Sequence, residues 1–242
     1  MSKLSAILFF LVLYASCLFA QKEGDVIINE IGNGGTKKAL YSGGKYVELL
    51  VLKEDGIKLA GWYLTDLTSP TSVPKETEGA IKFSDGPKSI FNNIIPKGTY
   101  ILICLGDTDA NYGSNAITEN LKSDHGNNRI VVFAYHSPEN IDTAGGKVVL
   151  TGKDNLALTS GWDKKKCVDA VSWGGASKWE GCKLTELTPE SLDNGYIAYF
   201  KPTAGNFSDN TSPANWISTS KPEDATPGSV NKDVDDSFLK KK

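Results

Sequence analysis

The sequence predicts an all-β sandwich with long loops. Short runs of β-branched, aromatic and leucine residues recur along the chain, several of them alternating in the period-2 pattern of a half-buried strand. Twenty-four glycines and ten prolines separate these runs with turn and loop chemistry. No stretch after the N-terminus carries the apolar i, i+3, i+4 spacing of a useful amphipathic helix. Short strands with frequent turns and no helices leave a two-layer β architecture as the expectation.

Val26 to Ile31 opens the chain's strand content, and Gly32-Asn33-Gly34-Gly35 follows as a bend. That bend lacks the Gly-Lys-Ser/Thr ending and the following helix of a phosphate loop. Tyr46 to Asp66 reads as a hairpin: a strand over Tyr46 to Leu52, a turn at Lys53-Glu54-Asp55-Gly56, and a second strand in which Ala60, Trp62 and Leu64 alternate with Gly61, Tyr63 and Thr65. Trp62 is its largest core contributor. A polar connection, Leu67 to Gly79, holds Pro70 and Pro74. Ile81 to Phe83 and Ser89 to Ile95 suit short edge pieces, and Pro96-Lys97-Gly98 is a tight turn into the strand Thr99 to Cys104. The polar segment between Gly106 and Asn128 reads as loop, with one helical turn near Thr118 to Lys122. Arg129 to Tyr135 and Lys147 to Thr151 resume strand character. Val168, Ala170 and Ser172 then alternate with Asp169, Val171 and Trp173, and Tyr196 to Phe200 is the last clear strand. From Pro202 an ordered loop is expected to wrap to Asn231, and residues 232–242 read as a disordered tail.

Targeting and charge narrow the setting. Lys3, an apolar run from Leu4 to Phe19, and Leu18-Phe19-Ala20 before Gln21 together read as a signal peptide over residues 1–20. The run is too short and too poorly flanked for a transmembrane helix, and no second apolar span follows. Lipidation at Cys17 is the weaker alternative, because Tyr14 stands where a lipobox carries Leu. Removing residues 1–20, which contain Lys3 and no acid, takes the formal charge from −3 to −4. Apart from Arg129 every basic side chain is lysine, a composition poorly suited to nucleic acid. The expected location is secreted, periplasmic or cell-surface. In that oxidising setting Cys167 and Cys182, flanking SWGGASKWEG, are expected to pair, and Cys104 to remain a buried thiol. The alternative of three reduced thiols with one reactive lacks any visible low-pKa environment.

VIINEI (26–31), YVELLVL (46–52), LAGWYLTD (59–66), IPKGTYILI (95–103), CVDAVSWG (167–174) and DATPGSVN (224–231) follow one another in the order and spacing of the lamin tail domain. The chain resembles a secreted bacterial-type member of that family, with a family core over 26–174 and a C-terminal extension over 175–231, together one domain spanning 21–231. The resemblance implies an immunoglobulin-like β-sandwich, a scaffold that hosts many activities. It also places Glu30 and Glu48 at positions that the family makes acidic.

Candidate chemistry is sparse. His125 and His136 are the two histidines, no G-x-S-x-G elbow occurs, and neither CxxC nor HExxH is present. Glu30 and Glu48 are acids inside apolar strands; paired carboxylates can do acid–base work, but a strand carboxylate commonly accepts from nearby amides or a tyrosine. They are read as structural core residues with Trp62, Asp66 and Trp173. Asp107, Asp109 and Asn111, with Glu119 beyond, form a weak calcium-loop candidate, since the glycine and the closing acid each fall one place late. Trp162, Trp179 and Trp216 suit either sugar stacking or capping of the sandwich ends, and Asn206 and Asn210 head glycosylation sequons. The sequence therefore favours an exported, non-catalytic module for adhesion, tethering or scaffolding at the cell envelope, with an envelope protein or glycan as its partner. A secreted carboxylate-dependent, calcium-assisted hydrolase acting on polysaccharide or nucleic acid is the alternative.

Overall fold

In the computed structural model the described residues are 23–34, 44–66, 79–106, 128–163, 166–175, 182, 185–187, 192–193, 195–203, 206–235 and 237–240. Among them the strands are β1 (Val26–Asn33), β2 (Lys45–Val51), β3 (Tyr63–Thr65), β4 (Ala80–Phe83), β5 (Tyr100–Cys104), β6 (Arg129–Phe133), β7 (Ile141–Thr143), β8 (Asp154–Thr159), β9 (Cys167–Trp173), β10 (Thr185–Leu187), β11 (Ile197–Phe200) and β12 (Trp216–Thr219). The all-β expectation holds. Two six-stranded sheets form, ordered β12-β11-β1-β2-β5-β6 and β10-β9-β8-β3-β4-β7. Pairing is antiparallel except at β5–β6 and β9–β10, which are parallel.

The inner faces of both sheets meet in one apolar cluster. Val26, Ile28, Leu49, Val51, Ile101 and Ile103 from the first sheet join Leu64, Ile81, Phe83, Leu156, Leu158 and Val171 from the second. Trp62 and Trp173 are buried at 1% and 0% exposure, and the Trp173 indole N–H donates to Thr151 O at 2.7 Å, satisfying the polar edge of a large apolar ring. The outer face of the first sheet is also covered, with Tyr46, Leu102, Cys104, Val131 and Phe133 all buried. Cys104 is a fully buried thiol outside the disulfide.

The expected hairpin over 46–66 does not form. The turn at 53–56 is present, with Gly56 at φ +69° and its N–H donating to Lys53 O. However, both flanks of β2 are already occupied by β1 and β5. The chain therefore crosses the core, with Ile57 bridging Ile95 and Leu59 and Trp62 buried, and enters the other sheet as β3. Lys147 to Thr151 is not a strand, because its backbone donors are drawn to side chains: Val148 N–H to Tyr135 Oη at 2.7 Å and Val149 N–H to Asp66 Oδ2 at 2.9 Å. Ser89 to Ile95 contains a 3-10 turn at Ile90–Asn92, capped by the Ser89 hydroxyl. β8, which lies between β9 and β3, and β12 on the sheet edge were not expected. The tail read as disordered includes a 3-10 turn at Ser237–Lys240, and Leu239 is buried at 5% exposure beside the Gly98 turn.

Cys167 and Cys182 are joined, with Cα atoms 5.5 Å apart and a sequence separation of 15. The bridge packs on Ala157 and Ala170, whose small side chains leave room for it on the outer face of β8 and β9. Among the described residues no helix is long and apolar enough to cross a membrane.

Candidate functional site

A β-bulge creates the most developed polar cluster in the described chain. β1 and β2 pair Ile28 with Leu49, then Glu30 with Glu48, so Asn29 is the inserted residue. The insertion places two acids directly opposite each other on one face, where facing Cβ atoms lie about 5 Å apart. Both side chains are at 0% exposure.

Each carboxylate is met by donors. Glu30 accepts from the Tyr46 hydroxyl, from Thr226 N–H at 3.2 Å, and from the Thr226 hydroxyl at 2.9 Å. The Tyr46 ring lies over Gly32, its cross-strand partner, so a Cβ at position 32 would strike the ring. Glu48 accepts from Asn29 Nδ2 at 2.7 Å and from the backbone N–H of Gly228. Asn231 Nδ2 donates to Phe200 O at 2.7 Å and to Asn29 O at 3.2 Å, while its Oδ1 accepts from Asn29 Nδ2 and lies 3.2 Å from the Thr226 hydroxyl. The segment 224–231 is therefore a clasp, pinned over β1 and β2 by the two acids and by Asn231.

Position 228 requires glycine twice. Its φ is +77°, and the space a Cβ would fill holds the Arg129 side-chain stem. Arg129 also sets a positive charge near Glu48.

Burial decides the protonation behaviour of the pair. Desolvation pushes Glu30 up to about 7, against the lowering pull of its Tyr46 and Thr226 hydrogen bonds. Desolvation, then the neighbouring Glu30 charge, also holds Glu48 well above the usual carboxylate range. A proton on Glu30 has an acceptor available, since the Thr226 hydroxyl can receive it and pass its own hydrogen toward Asn231 Oδ1. The pair can hold protons out of water, but a substrate would reach it only if residues 224–231 lifted away.

Two further acids act as staples. Asp169 of β9 accepts from Ile28 N–H of β1 at 2.6 Å and from Asn210 Nδ2 at 2.8 Å, linking the two sheets, and burial raises it to about 7. Asp66 accepts from Val149 N–H, its carboxylate fills the space beside Gly79, and desolvation raises it to about 6.

The other sequence candidates are scattered. Asp107, Asp109, Asn111 and Glu119 lie outside the described residues, as do His125, Trp179, Cys17 and the segment 1–20. Among the described residues no group of three or more His, Cys, Asp or Glu is placed to hold a metal ion. His136 is exposed after β6. Trp216 is buried, donating to Asn210 O at 2.9 Å, and Asn210 itself is 4% exposed with its amide turned to Asp169. That sequon amide is committed to the fold. Thr226, Gly228 and Asn29 as partners of the two acids, Asn231 as the residue that ties Asn29 to the clasp, and Asp169 as a separate staple were missed; the DATPGSVN segment was the signal for Thr226, Gly228 and Asn231.

Comparison with protein families, with characterised proteins and with solved structures yields no match.

Proposed function

We propose that this chain is an exported, non-catalytic lamin-tail-like module that tethers an envelope protein or glycan. One observation carries the reading: the best-developed acidic cluster is sealed from solvent, and its oxygens hold the backbone of the C-terminal clasp. A sandwich whose acids lock its own C-terminal clasp over one sheet is built as a rigid platform, with the outer face of the second sheet left to carry recognition. The signal-like N-terminus, the disulfide and the six lamin-tail-like blocks support the same reading, and with it an immunoglobulin-like lineage.

The test is capture. Residues 21–242 are immobilised and exposed to native envelope extract, once with calcium and once with chelator. A specific retained protein or glycan is expected; retention that requires calcium would bring in the Asp107–Glu119 loop. A second reading, a carboxylate-dependent hydrolase, is favoured by the two adjacent acids with raised pKa values. Turnover of a polysaccharide or phosphodiester that Glu48→Gln abolishes, while the variant keeps its wild-type melting temperature, would replace the tethering reading with this one.

A further inference from the structure

The outer face of the second sheet carries a row of side chains that nothing above employs. Cross-strand register aligns Thr159 of β8, Tyr63 of β3, Lys82 of β4 and Asp142 of β7. Directly opposed residues share a face, so these four form one line across four strands, roughly 14 Å long at the normal strand spacing. Trp162, on the turn after β8, packs on Tyr63 with ring centroids 5.1 Å apart and planes tilted by 59°, and both rings are half-buried. Beside them Lys82 Nζ sits 2.8 Å from Asp85 and 3.7 Å from Asp142, whose side chains are 63% and 42% exposed. At the other end the Thr159 hydroxyl is fully buried without a hydrogen-bond partner.

We propose that the solvent-reaching part of this row, Tyr63, Lys82 and Asp142 with Trp162 and Asp85 beside them, is a glycan-binding site, taking a short stretch of pyranose rings. The proposal deepens the tethering reading and rests on it. A pyranose has an apolar C–H face and a rim of hydroxyls. The tilted Tyr63–Trp162 pair offers the apolar platform, held in place by its own packing. The Asp85–Lys82–Asp142 group offers an ammonium donor between two carboxylate acceptors, the set that grips neighbouring hydroxyls through charge-assisted bonds. Other occupants fit worse. The strip is too narrow and too charged to be the apolar centre of a protein interface. Two exposed aspartates on a chain of net charge −3 repel nucleic acid.

The experiment is affinity electrophoresis of residues 21–242 through gels containing laminarin, xylan, galactomannan or carboxymethylcellulose, with co-sedimentation on purified peptidoglycan. Wild type, Trp162→Ala and Asp142→Ala are compared, with melting temperatures recorded to confirm that the surface variants fold. Retardation or sedimentation by at least one glycan is expected, weakened about tenfold or more by each substitution. Failure of the wild type to bind any of the five overturns the site, as does binding that survives both substitutions. Capture of an envelope protein by Trp162→Ala, without glycan binding by the wild type, removes the site and leaves the tethering module standing. Neither capture nor glycan binding removes both.

Discussion

Raising the pH from 5 to 8 should destabilise this protein through Glu30. An acid whose pKa is higher folded than unfolded binds more protons in the native state. Its contribution is therefore fully present below the unfolded value and is lost as pH rises through the folded one. For Glu30 the window runs from 4.5 to about 7. Over pH 5 to 8 this amounts to about 2 to 3 kcal/mol at 1.36 kcal/mol per unit, or roughly 5 to 10 °C in melting temperature for a chain of this size. Glu48 and Asp169, also raised by burial, act in the same direction. The assay is calorimetry or circular dichroism across that pH range with the disulfide intact, on wild type and Glu30→Gln. The glutamine keeps an oxygen for Tyr46 and Thr226 N–H and gives a donor to the Thr226 hydroxyl. It should lie within about 1 kcal/mol of wild type at pH 5 and show a shallower decline toward pH 8. A wild-type melting temperature that holds or rises from pH 5 to 8 would refute the reasoning, and so would an unchanged slope in Glu30→Gln.

Other predictions concern the clasp and the staples. Gly228→Ala should cost about 2 kcal/mol or more, because a left-handed backbone and the displaced Arg129 stem add together; chemical denaturation reads this, and a change under half of that would mean the clasp relaxes freely. Cys182→Ala should lower stability by about 3 kcal/mol through the 15-residue loop, and reductant should shift the wild type similarly but leave the variant unmoved. Leu239→Ala should cost about 2 kcal/mol because the side chain is buried. Wild-type stability in that variant would return the tail to the disordered state first expected.

What was legible in the sequence was local. Val26–Ile31, Tyr46–Val51, Tyr100–Cys104 and Ile197–Phe200 declare themselves because β-branched, aromatic and leucine side chains fill consecutive positions. Asp154–Thr159 did not, since it opens on Asp-Asn, and its outward Ala157 lies beneath the disulfide where only a small side chain fits. The turn at 53–56 was readable from Asp55 and Gly56. The sheet that the chain enters next was not, because it depends on β1 and β5 flanking β2. The site divides in the same way. Glu30 and Glu48 stand out as acids in apolar strands, whereas their juxtaposition depends on the Asn29 bulge. Their partners Thr226 and Gly228 lie 196 and 180 residues away.

The clasp also has a consequence for the order of events during synthesis. Asn29 and Asn231 are 202 residues apart, and β1 is lined on one flank by β11 near the end of the chain. At about 5 to 20 residues per second, roughly 10 to 40 seconds separate the appearance of the first strand from that of the asparagine that secures it. Until then two carboxylates and a row of strand donors stay wet, and the nascent chain remains open and threadable. Under the proposed export, a lock carried by residues 224–231 would close only after the earlier strands had passed the channel.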